Sequence, residues 1–136
     1  MSKHIGIIPK WIRIIIGVLA LMNIAFGVMS YFDMSLLFHE GTDINLTNAL
    51  IRNASFEFAA RNLAIGLALG IVAMKGVPES ITIVTIIRAL IEIQTIIIAI
   101  VHGNINAMLL MPVAFLAIEI FIIKTLVGVI QKRDAQ

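Results

Sequence analysis

Glu57-Phe58-Ala59-Ala60-Arg61-Asn62, running on into Leu63-Ala64-Ile65-Gly66-Leu67-Ala68-Leu69-Gly70, sets a carboxylate, a guanidinium and an amide inside a segment otherwise apolar enough to cross a bilayer. About 20 apolar residues in a helix span the hydrocarbon core. Further along, Arg88-Ala89-Leu90-Ile91-Glu92 carries the same two charge types in reversed order. A charge at the centre of a membrane helix costs about 2.5–3.5 kcal/mol on insertion scales. Charges placed this way are expected to face inward and pair.

Composition supports lipid as the solvent. Of 136 residues, 60% are hydrophobic and only 13% are charged, about half the usual charged share of soluble domains. Mean hydropathy is +1.06. A soluble domain of this size would have to cover its surface with apolar side chains, which favours aggregation. The net charge of +2 does not point to nucleic acid as a partner. Cysteine is absent, which excludes disulfides, thiolate metal sites and cysteine nucleophiles.

The pattern predicts four membrane helices, at 11–32, 54–74, 80–101 and 107–130, in one domain over 1–136. The first apolar run is too long for a signal peptide, and no clean small-x-small site precedes a soluble domain, so an uncleaved helix is expected. A polar outer connection is expected at 33–53, where Leu36, Leu37 and Phe38 make it amphipathic enough to lie on the membrane surface. Lys75-Gly76-Val77-Pro78-Glu79 reads as a tight turn, with glycine ending one helix and proline opening the next. A second short turn falls at His102-Gly103-Asn104-Ile105-Asn106. Short connections imply antiparallel neighbours, hence an all-α, up-down four-transmembrane-helix bundle. Lys3, Lys10, Arg13, Lys75, Lys124, Lys132 and Arg133 fall on one side and only Arg52 on the other. The positive-inside rule then puts both termini in the cytoplasm, most simply of a prokaryotic cell.

The polar residues share a level. At about 1.5 Å per residue from the outer helix ends, Glu57 lies roughly 5 Å deep and Arg61 roughly 10 Å. Asn23 and Glu92 lie roughly 13 Å deep, Glu119 roughly 16 Å and Arg88 roughly 20 Å. Antiparallel packing would let Arg61 meet Glu92 and Arg88 meet Glu119, and each i,i+4 pair can also close within its own helix. Asn23, Glu57, Arg61, Asn62, Arg88, Glu92 and Glu119 are therefore the candidate binding residues. Gly66 and Gly70 form a GxxxG pair that permits close helix approach, and Ala20, Asn23 and Gly27 share a face on the first helix. The bland alternative is that buried ion pairs only fix helix register. His4, His39 and His102 are too dispersed to hold a metal.

Ala60 to Gly70, followed by Arg88 and Glu92 on the next helix, resembles the DoxX-like superfamily of small four-helix integral membrane proteins. The resemblance covers most of the second and third helices and the four-helix plan. It implies an inward-facing arginine on the second helix and polar partners on the third, here Arg61, Arg88 and Glu92. It also implies association, in some members, with quinol oxidase or related redox complexes. The acidic connection 33–53 has no counterpart in that pattern.

Three functions follow as expectations. One is an accessory subunit or binding protein for a quinone- or lipid-like amphiphile, with Arg61 and Arg88 donating to a carbonyl or phosphate oxygen. Its partners would be membrane lipid and either a larger membrane complex or further copies of itself. Beyond a bound quinone or lipid, no cofactor is expected. A second is a membrane enzyme doing acid–base chemistry on a lipid or isoprenoid, with Glu92 or Glu119 as proton donor. No nucleophile elbow, metal-ligand set or phosphate loop accompanies it. A third is a small proton-coupled transporter using Glu57, Glu92 and Glu119, opposed by the arginines that would hold these groups ionised.

Overall fold

A computed structural model describes residues 8–32, 49–103, 105 and 107–135. The chain is an all-α, four-helix membrane bundle. Its helices are α1 (Lys10–Phe32), α2 (Ala49–Lys75), α3 (Pro78–Val101) and α4 (Leu110–Asp134), the last preceded by a 3₁₀ turn at Ala107–Leu109. All four helices are long and apolar enough to cross a membrane. Most of the connection expected at 33–53 lies outside the described residues; positions 49–53 are helical.

Helicity here owes more to solvent than to propensity. α3 is rich in isoleucine, valine and threonine, and β-branched side chains disfavour helices in water. Lipid offers no hydrogen bonds, so a spanning backbone must bond to itself. The helix ends follow the turn chemistry. Gly76, with φ +65°, donates its N–H to the Val72 carbonyl at 3.0 Å, and Pro78 opens α3 behind an extended Val77. Pro112 falls in the first turn of α4, where its missing N–H would have had no intrahelical partner. α2 begins five residues before the expected position and α4 runs four beyond it. In both places polar residues mark the end of the apolar run without breaking the helix. Lys132 and Arg133 in the last turn of α4 suit its negative end.

By internal packing the chain divides into two units. One holds Ile14–Ile71, and the other holds the described residues up to Arg13 together with those from Val72 onward. In the 14–71 unit, α1 and α2 run antiparallel with their backbones very close. A Cβ on Gly27 would stand 2.7 Å from Leu63 Cγ and 3.0 Å from the Ala59 carbonyl oxygen. One on Gly66 would stand 2.7 Å from Ile24 Cγ1 and 3.0 Å from the Ala20 carbonyl oxygen. Gly70, the other half of the expected pair, meets only the Ala20 Cβ at 4.0 Å. Ser55 Oγ donates across the helices to the Ser30 carbonyl at 2.7 Å, and Tyr31 packs on Phe56 with ring centroids 5.4 Å apart.

In the other unit α3 and α4 are also antiparallel. Moving toward the N-terminus of α3, from Arg88 to Glu79, moves the ionic partner toward the C-terminus of α4, from Glu119 to Arg133. Ile81, Thr85, Arg88 and Ala89 on α3, and Glu119, Ile122 and Leu126 on α4, are buried at three- and four-residue spacing. Trp11 packs on Phe121 at 5.6 Å. Arg13 caps the end of α2, donating from Nε to the Ala73 carbonyl at 3.0 Å and from Nη2 to that of Met74 at 3.3 Å.

Candidate functional site

The geometry gathers three of the candidate residues around one guanidinium. Arg88 stands midway along α3 and is 6% exposed. Its Nη1 donates to Oε1 of Glu119 on α4, and its Nη2 donates to Oε1 of Glu92, one turn further along α3, at 3.0 Å. Glu119 is wholly buried, and the Glu92 side chain is 14% exposed. Cζ of Arg88 lies 5.0 Å from the centroid of the Phe115 ring. Phe115 precedes Glu119 by one helical turn, so a single face of α4 supplies both an anion and an aromatic face to the cation.

The cluster is incomplete. Two of its buried polar atoms, Arg88 Nε and Glu119 Oε2, have no hydrogen-bond partner among the described residues. Buried polar groups are paired in the great majority of cases, so two orphans on adjoining side chains call for an explanation. The neighbouring hydroxyls do not answer the call. Thr85 Oγ1 donates to its own helix at the Ile81 carbonyl, 2.7 Å away, and Thr82 donates likewise to Pro78 at 2.8 Å.

Asn23, Glu57, Arg61 and Asn62 belong to the 14–71 unit. Asn23 is buried, but its amide nitrogen donates to the Leu19 carbonyl of its own helix at 2.7 Å. Asn62 does the same to Phe58 at 2.9 Å. Glu57 and Arg61 are exposed, which corrects the expectation that both turn inward, and their expected i,i+4 ion pair is not formed. The reason is helical phase. Ser55, Ala59, Gly66 and Leu69 make the buried face of α2, and two residues either side of Ala59 is a rotation of about 200°. Small residues claim the packed face and the charges fall opposite.

Reading the sequence missed Phe115, Arg13 as a cap, and the Ser55–Ser30 bond. Phe115 had a usable signal, its one-turn spacing from Glu119; the other two have none. His102 is exposed, and His4 and His39 lie outside the described residues. Among the described residues no three His, Asp or Glu side chains gather as metal ligands. A shallow apolar groove on α4, lined by Ile120, Ile123, Val127 and Gly128 with Lys124 and Gln131, includes none of the ion cluster. Comparison with protein-family models, with curated proteins and with solved structures yields no match.

Proposed function

We propose that this small integral membrane protein is an accessory or binding subunit of the DoxX-like kind, and that its Arg88–Glu92–Glu119 cluster receives the polar head of a quinone- or lipid-like amphiphile. The pair of orphaned atoms carries the reading. A buried donor or acceptor without a partner costs about 1–3 kcal/mol. A carbonyl or phosphate oxygen would accept from Arg88 Nε, and a hydroxyl on the same head would serve Glu119 Oε2. Apolar side chains on the exposed sides of α3 and α4 would hold the tail. The distribution of lysine and arginine supports placing both termini on the cytoplasmic side of a prokaryotic membrane. In this reading the protein works as a homo-oligomer or within a larger redox complex.

The test is mass spectrometry of the organic extract of protein drawn from native membranes, comparing wild type with Arg88→Lys. Lysine keeps the charge but has no Nε–H beside a planar fork. The expected result is an amphiphile stoichiometric with the wild-type chain and depleted in the variant. Wild-type protein isolated empty, with water left to satisfy the two atoms, overturns the reading.

A further inference from the structure

We propose that Glu92 and Glu119 together hold one exchangeable proton, so that Arg88 and its two carboxyl partners are electrically neutral inside the membrane. Both carboxyls bond to the same guanidinium, one at each terminal nitrogen. One positive charge therefore faces two acids. Among the described residues of this unit no second cation attends them. Arg133 pairs with Glu79 and Asp134, Arg13 is bound to carbonyls at the end of α2, and Lys10, Lys75, Lys124 and Lys132 are exposed. Thr85 is committed to its own helix, and Phe115 offers only a ring face. In the 14–71 unit the acid and base at membrane depth, Glu57 and Arg61, are both exposed.

Two carboxylates sharing a water-poor site do not both ionise. Glu119 is wholly buried and the Glu92 side chain is 14% exposed. A proton shared by the pair removes the excess charge, and it belongs to the pair rather than to either residue. The site is then a proton reservoir beside the atom that an incoming head group would touch. This inference stands on the geometry of the cluster alone. It holds whether or not an amphiphile binds, and it can fail while the ligand reading survives.

The test is infrared spectroscopy of the full chain in lipid vesicles near neutral pH, following the carboxylic-acid carbonyl stretch and its shift in D₂O. Wild type is expected to show one exchangeable acid band. Glu92→Gln and Glu119→Gln are each expected to abolish it, because either substitution leaves one guanidinium with one carboxylate, already neutral. A merely structural, always-protonated Glu119 would keep its band in Glu92→Gln. That result, a wild type without the band, a band insensitive to both substitutions, or one that ignores D₂O overturns the proposal. Wild type and Glu92→Gln suffice if Glu119→Gln does not fold.

Discussion

At the scale of single residues, Arg88 is the most exacting position in the chain. It answers two carboxyls and rests on one ring, and its removal leaves the wholly buried Glu119 without its cation. Breaking a buried pair from one side costs about 3–5 kcal/mol, so Arg88→Ala is expected to lower the melting temperature sharply in detergent, measured by circular dichroism. Glu92→Ala should cost less, because Glu92 is partly exposed and Glu119 still neutralises the guanidinium. A Glu92→Ala variant as unstable as Arg88→Ala would contradict the ranking. The identity of this pair was legible in advance: Arg88 opposite Glu119 followed from antiparallel order and depth alone. The bond from Arg88 to Glu92 was legible too, from i,i+4 spacing; what depth could not give is azimuth, because it ranks residues along the membrane normal alone. For the same reason depth places Glu57 and Arg61 at membrane level without showing that they face outward.

At the scale of elements, the α1–α2 contact rests on Gly27 and Gly66. Each lies against backbone atoms of the facing helix, so the neighbour cannot yield as a flexible side chain would. Gly66→Ala and Gly27→Ala are each expected to destabilise the hairpin by about 1–3 kcal/mol through overpacking. Gly128→Ala is the control, since nothing among the described residues lies within 4 Å of the added carbon, and there the gain in helix propensity stands alone. Thermal unfolding of the three variants separates these cases; equal behaviour would remove the close-approach argument. Arg13→Gln should fray the end of α2 by about 0.3–1 kcal/mol, the worth of a cation at a helix C-terminus, seen as faster amide exchange at Lys75 and Gly76. The existence and type of all four helices could be read from hydropathy and from the glycine and proline positions. Their ends could not be read as well. Arg52 and Asn53 in the first turns of α2, and the polar run 131–134 in α4, signal the edge of the lipid, and a helix does not stop where the lipid does.

At the scale of the whole molecule, the absence of cysteine from the sequence is an experimental advantage. Single cysteines at the exposed positions His102 and Gln131 can report topology without background. In intact cells an impermeant maleimide is expected to label His102→Cys and to reach Gln131→Cys only after permeabilisation. The opposite pattern would invert the orientation drawn from lysine and arginine. Membrane residence was readable because composition alone excludes water as the solvent. Function was less so, because the cluster at Arg88 depends on which atoms are left over after packing, and no spacing rule counts leftovers. The helicity of α3 has one further consequence. Thr95-Ile96-Ile97-Ile98-Ala99-Ile100 is uncharged, free of proline and composed mostly of strand-forming side chains, the composition that stacks into dry cross-β zippers once chains meet in water. Delipidated protein should therefore convert on heating from a helical to a strand-type spectrum and precipitate as thioflavin-positive fibrils, so the bilayer around α3 also acts as its guard against amyloid.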